Sequence, residues 1–250
     1  MYDRSHDGWR ERIGEAIGAT WAPLIGRIAR ARHARMFHPD GQVFSGSVTA
    51  VVSSPFADLA AQLGPHVLAR FSGALRRKGR ESLDVLGIAM RFSHAPIEGV
   101  EPVAGDQDLL FATILSPFTM PLSPFTTRSH DFFANSYYAV APFVLPDRRR
   151  VKFRLVALGH AAEGREAHAG SRATSLSAVV ESGGAHFALE ARETLHLRWH
   201  PIARIAVERE EALDQRELRF DPYQDGAGIV PVGVVQAIRR RAYPASQAHR

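Results

Sequence analysis

Three residues near the end of the chain form its sharpest chemical pattern. Arg239, Tyr243 and Arg250 are spaced Arg-x3-Tyr-x6-Arg within RRRAYPASQAHR. The run before them, PVGVVQAI, reads as a helix, which would set Arg239 and Tyr243 one turn apart on one face. A guanidinium beside a phenol favours the phenolate, because a nearby positive charge stabilises the charged form. A phenolate is a hard anionic ligand for ferric iron, and tyrosine is one of the few side chains that serves as a proximal haem ligand. Taken alone, a basic C-terminal tail with one tyrosine is more often a solvated helix end.

Other catalytic signatures are missing. The chain has no Walker loop, GxGxxG, HExxH or GxSxG, and no pair of carboxylates stands out. Its 12 histidines are scattered. His196 and His200 are four apart, but in a stretch that reads as strand, where they need not face one way. What remains is an ordered series. Arg35-Met-Phe-His38 precedes Gly41 and Gly46; Arg70-Phe71-Ser72 follows; Asp84 and Gly87 lead into Ala89-Met-Arg-Phe92; Asp108-Leu-Leu opens a further segment; and Tyr243 closes the series.

The elements that would position these residues are mostly strands. HVLARFSGA alternates, with Val67, Ala69 and Phe71 on one face and Leu68, Arg70 and Ser72 on the other. Gln42 to Val52, LGIAMRF, DLLFATIL, VKFRLVAL, HFALEARETLHLRW and ARIAVER also read as strands. Their spacing predicts a barrel or sandwich, not βαβ units. Residues 9–37 read as a helical arm interrupted at Pro23. SSPFADLAAQL reads as a short helix capped by Ser54, with Pro55 in its first turn and Asp58 at its positive end. The segment 159–175 reads as a polar loop, and residues 231–250 as a terminal helix. With no repeat and no boundary, residues 1–250 read as one domain.

Composition bounds the rest. At 250 residues and 45% hydrophobic content, the chain can build a sizeable core. No apolar run is long enough to span a bilayer, and the N-terminus is charged where a secretory signal would be apolar. The expectation is a soluble cytoplasmic protein with no membrane partner. Zero cysteines exclude disulfides, thiolate metal sites and a cysteine nucleophile. The net charge of +5 comes from 31 basic against 26 acidic residues, spread along the chain. With no nucleic-acid-binding motif beside it, this charge does not predict a nucleic-acid partner.

The order and spacing of the series resemble the haem catalases. That family begins its first barrel strand with Arg-x-x-His and glycines three and eight residues later. An Arg-Phe-Ser segment, a Gly-x-Ala-x-Lys/Arg-Phe segment and a proximal Arg-x3-Tyr-x6-Arg helix follow. Its mid-chain Lys-x-Arg strand looks similar to Val151-Lys152-Phe153-Arg154. The resemblance covers about residues 30–155 and 200–250. It implies an α+β protein: an eight-stranded antiparallel β-barrel with flanking helices, binding haem b. His38 would be the distal acid/base and Ser72 would orient it. Arg35, Arg70 and Arg250 would pair with the haem propionates or with Tyr243. Tyr243 would ligate the iron, with Arg239 lowering its pKa. Phe37, Phe71, Phe118 and Phe125 are candidates for walls against the haem.

The chain departs from the family in two ways. The family's distal asparagine falls here at Ala112-Thr113, leaving the Thr113 hydroxyl as the substitute unless Asn135, the sole asparagine, is brought in by the fold. The family also continues beyond the proximal helix. The missing asparagine shifts the expectation from a true catalase toward peroxidase-like chemistry, with hydrogen peroxide or an organic hydroperoxide as oxidant and a small-molecule substrate; the second departure implies a haem more open to bulkier substrates. A homodimer or other homo-oligomer is compatible. The alternative is a barrel that carries haem or another hydrophobic ligand without turnover.

Overall fold

The structure is a computed structural model that describes residues 41–74, 83–139, 141–159, 171–215 and 217–233. Arg35, Phe37, His38, Arg239, Tyr243 and Arg250, together with the 9–37 arm and most of the 231–250 helix, lie outside the described residues, as does the side chain of Phe118.

Ten strands form one antiparallel sheet. They are β1 (Gly41–Ala50), β2 (His66–Gly73), β3 (Leu86–Ser93), β4 (Gln107–Ala112), β5 (Ser136–Tyr138), β6 (Phe143–Val144), β7 (Arg150–Leu158), β8 (His186–Glu193), β9 (His200–Glu210) and β10 (Val230–Pro231). The order β7-β5-β4-β3-β2-β1-β9-β8 closes on itself, because β8 also pairs with β7 along its full length. The result is the expected eight-stranded barrel. Closure leaves no free edge in the ring. β6 and β10 extend the sheet beside β7, so Pro231 belongs to a strand pair with Phe143 and not to the predicted terminal helix.

Alternation decides what fills the barrel. Phe44, Phe71, Ile88, Phe111, Tyr137, Phe153 and Phe187 point inward into one contiguous core. Phe71 packs edge-on against Phe44 and Phe132, so it is a core residue and faces away from the Ser72 side. A second, smaller cluster lies outside the wall: Val43 and Leu68 on β1 and β2, covered by Leu213, Leu218 and Phe220.

Among the described residues the helices are short. α1 (Ala57–Leu63) begins after Phe56, not after Ser54; the Ser54 hydroxyl instead accepts from the Phe56 amide in the preceding turn. A 3-10 turn (Pro117–Leu122) leads into α2 (Ser123–Thr126). α3 (Arg172–Glu181) starts inside the stretch read as a loop, capped by Ser171. Its Arg172 closes one mouth of the barrel, pairing with buried Asp84 at 3.2 Å and donating to the Ser129 carbonyl at 2.7 Å. Gly73 leaves the room for that pair, since a β-carbon there would collide with both side chains.

Candidate functional site

Of the candidate residues that the structure describes, Arg70 and Ser72 come together on the outer wall of β1–β4. Directly opposed residues in antiparallel strands share a face. The registers therefore give one row, Gly41–Ser72–Gly87–Ala112, and below it a second, Val43–Arg70–Ala89–Leu110. The first row carries no side chain larger than a hydroxymethyl group. It is a strip of small residues at the Gly41 end of the barrel, with Ser72 and Gly87 buried and Gly41 and Ala112 half-buried. Arg70 and Ser72 are neighbours on this wall, as the alternation predicts.

Arg70 is held across the strip. Its guanidinium donates to Gln215 Oε1 at 3.4 Å, and Gln215 in turn donates to the Gly41 carbonyl. A β-carbon on Gly41 would stand 2.9 Å from the guanidinium carbon of Arg70 and 2.9 Å from the Phe71 carbonyl oxygen. Glycine is what lets the cation lie there. The arrangement puts one cation, Arg70, and one hydroxyl, Ser72, beside a row of residues with little side-chain bulk.

The wall is stiffened from below. A third row, Ser45–Leu68–Arg91–Asp108, contains a fully buried bidentate ion pair. Arg91 donates to the two Asp108 oxygens at 2.9 and 3.1 Å and to the Val100 carbonyl at 3.0 Å. The Phe220 ring lies 5.3 Å from its guanidinium carbon. Asp108 also accepts from the Asp221 amide at 2.8 Å. Burial pushes the Asp108 carboxyl above its ordinary value, against the pull of Arg91. Through these contacts the 213–229 segment is strapped to the outer wall. Gln107 continues the seam, donating to the Gln224 carbonyl at 2.8 Å.

Thr113 falls elsewhere. It follows Ala112, so its side chain has the opposite parity to Ser72. Its hydroxyl accepts from the Leu86 amide at 3.1 Å and from the Thr127 hydroxyl at 2.7 Å. These bonds tie the end of β4 to β3 and α2. Asn135 does not replace it. Its amide oxygen accepts from Arg128 N at 2.9 Å, and its amide nitrogen donates to the carbonyls of Arg128 and Asp131 at 2.9 and 2.6 Å. That clamps the 128–135 loop and uses the side chain fully. Phe125 is exposed and packs against no wall.

Sequence reading missed Gln215, the partner of Arg70. A lone glutamine in EALDQREL gives no periodic signal, and only the strap's path brings it to Gly41. Among the described residues no group of His, Asp and Glu could hold a metal ion, and no helix is long and apolar enough to cross a membrane.

Comparison with solved structures places the fold. A bacterial catalase superposes with a TM-score of 0.53 over 90% of this chain and 60% of its own, at 17% identity. A fungal catalase gives a TM-score of 0.57 over 91% of this chain and 61% of its own, at 12% identity. The chain thus spans about three-fifths of the catalases it matches and is similar to them in fold. No family model and no curated protein matches it.

Proposed function

We propose that the chain is a haem-dependent, peroxide-using oxidoreductase built on this barrel. The observation that carries the reading is the Gly41–Ser72–Gly87–Ala112 strip with Arg70 at its side. It is a surface able to lie against a planar macrocycle, on the wall where the motif order predicts one. The described residues fit such a group. A row of small side chains would let a porphyrin plane approach the sheet, and an arginine fork suits a propionate carboxylate. The catalase folds above support the same reading at the level of architecture.

In this reading Tyr243 holds the iron through its phenolate, with Arg239 keeping the phenol ionised. Arg35, Arg70 and Arg250 hold the carboxylates. When bound, the haem supplies the redox chemistry of peroxide cleavage. His38 accepts the proton of incoming peroxide on a ring nitrogen and returns it to the departing oxygen. Ser72, the penultimate residue of β2, would fix the tautomer of that imidazole by hydrogen bonding. The outer wall would screen one side of the site from water.

One observation favours a second reading, a haem carrier without turnover. Both amide hydrogens of Asn135 are used in structural bonds, and Thr113 has the opposite parity to Ser72, so neither supplies a second distal donor on that wall. Peroxidase-like chemistry needs less from that donor than peroxide dismutation does, which keeps the enzyme reading ahead.

The test is a visible spectrum of the chain expressed with a haem precursor, beside Tyr243→Phe and His38→Ala. A Soret band altered in Tyr243→Phe, with peroxide reactivity lost but haem kept in His38→Ala, supports the enzyme. Unchanged behaviour of His38→Ala supports the carrier. A colourless chain that also fails to take up hemin ends both readings.

A further inference from the structure

The barrel end opposite the Gly41 strip presents a feature that the haem reading does not use. Three connections meet there: β1 to α1, β6 to β7, and β8 to β9. They enclose a cleft of about 180 Å³ lined by Pro55, Phe56, Arg149, Glu193, His196 and His200, among others. At the tip of the β8–β9 connection, Leu195 is 93% exposed and Leu197 88% exposed; Val52, on the neighbouring connection, is 88% exposed. Single exposed leucines are ordinary. Two on one turn, alternating with His196 and Arg198, are not explained by folding.

The tip is braced. His196 N donates to the Glu193 carbonyl at 3.0 Å, and Arg192 donates to the His196 carbonyl at 2.9 Å. At its base the Trp199 ring contacts two guanidinium groups, with Arg154 at 4.5 Å and Arg192 at 4.9 Å from the ring centroid. The leucines are therefore held out on a structured turn. The adjoining β6–β7 turn holds Arg148 at φ 68, a left-handed conformation disfavoured for arginine. It keeps a charge where glycine or asparagine would fit with less strain. Arg149 beside it stacks on Phe56 at 4.5 Å and pairs with Asp147 at 2.7 Å. These connections and the adjoining end of β8 carry Arg148, Arg149, Arg192 and Arg198 beside Asp147, which pairs with Arg149, and Glu193, which lies 3.7 Å from His196. Further acidic residues of this end, Glu98, Glu101 and Asp106, sit on the β3–β4 connection, and Asp58 lies in the first turn of α1. α1 lies between the two groups, its Phe56 end against His200 and its Gln62 end against His94.

We propose that this basic, leucine-tipped end docks on an anionic lipid surface. Leu195, Leu197 and Val52 enter the boundary between headgroups and acyl chains, and the arginines meet the phosphates. Protruding single leucines need a soft apolar medium, which a bilayer offers and a flat protein surface does not. The ring of arginines matches the negative potential of anionic headgroups. The expectation of no membrane partner rested on spanning segments, and a peripheral tip needs none. The proposal is independent of haem.

The test is cosedimentation of the full chain with phosphatidylcholine vesicles, with and without phosphatidylglycerol. Binding is expected only to the anionic vesicles and is expected to weaken as salt rises. Leu195→Ser with Leu197→Ser should lower the partition at least tenfold. Arg148→Glu or Arg198→Glu should lower it roughly fivefold each. All these sites are exposed, so the thermal midpoint should hold. Equal binding to both vesicles, no binding, or full binding by the leucine variant would overturn the proposal. So would concentration-dependent self-association that the leucine variant abolishes, which would assign the tip to a second copy.

Discussion

The guanidinium of Arg70 lies over the bare Cα of Gly41, one row from its own strand position, with 2.9 Å between its carbon and the place where a β-carbon would stand. The contact links the first barrel strand to the cation of the candidate site. Gly41→Ala should therefore push Arg70 and Gln215 off the strip. The cost to folding should be about 1–3 kcal/mol, as for other overpacked sites. Hemin affinity should fall several-fold, while Arg70→Lys, which keeps the charge but not the fork, should fall further than its folding cost explains. Hemin titrations beside urea unfolding separate the two effects. Unchanged hemin affinity in both variants would detach this wall from cofactor binding.

Ser72 and Thr113, both read as distal hydroxyls, should part company. Thr113→Val removes an acceptor from the Leu86 amide and from Thr127. It should cost about 1–3 kcal/mol of stability, because it leaves a partly buried donor without a partner. Peroxide consumption per folded haem should stay as it is. Ser72→Ala should do the reverse, with near-native unfolding and a slower peroxide reaction. Stopped-flow peroxide decay on haem-matched samples tests both, and a rate loss in Thr113→Val at normal stability would return that hydroxyl to the distal side.

The sequence made the barrel legible because alternation and burial share one period. Val67, Ala69 and Phe71 against Leu68, Arg70 and Ser72 is a split that the structure reproduces residue for residue. The same rule misled beyond Glu193. Leu195 and Leu197 continue the alternation of β8, yet the chain turns there, because a period of two says nothing about whether a pairing strand is present. α3 was hidden by the Gly/Ala-rich run before it, although Leu176, Val179 and Val180 have helical spacing. Strands β5, β6 and β10, three residues or fewer, are too short to show a period. At the site, Arg70 and Ser72 were readable as one face. Gln215 and the fates of Thr113 and Asn135 were not, since hydrogen-bond partners distant in sequence leave no local pattern.

The Arg91–Asp108 pair ties the 213–229 strap to the outer wall, and its two halves should not be separable. Asp108→Asn leaves an arginine with no exposure and no counter-charge, which should cost about 3–5 kcal/mol. The double change Arg91→Met with Asp108→Leu should recover most of that loss, because a buried pair returns little beyond its own desolvation. Chemical unfolding of the singles and the double measures the coupling. A double variant as unstable as Asp108→Asn would mean that the bonds to Val100 and Asp221 matter more than the charges.

Tyr137 makes the alkaline limit of the fold predictable. The phenol is fully buried among the barrel core and donates to the Phe132 carbonyl at 2.6 Å. Burial pushes its pKa well above the ordinary 10.0, and the Asp131 charge adds to the rise. The native state then keeps a proton that the unfolded chain releases. A group whose folded pKa is raised contributes stability that is present below its unfolded pKa and is lost as pH rises. Stability should therefore fall above pH 10.0, by up to about 1.4 kcal/mol per pH unit from this group. Tyr137→Phe should be less stable than the parent at neutral pH by about 1 kcal/mol, the worth of the lost hydrogen bond. As the pH passes 10.0 that gap should close and then reverse, since phenylalanine has no proton to lose. Urea unfolding of both chains across this range reads it directly, and a gap that stays constant would mean that Tyr137 ionises in the native barrel.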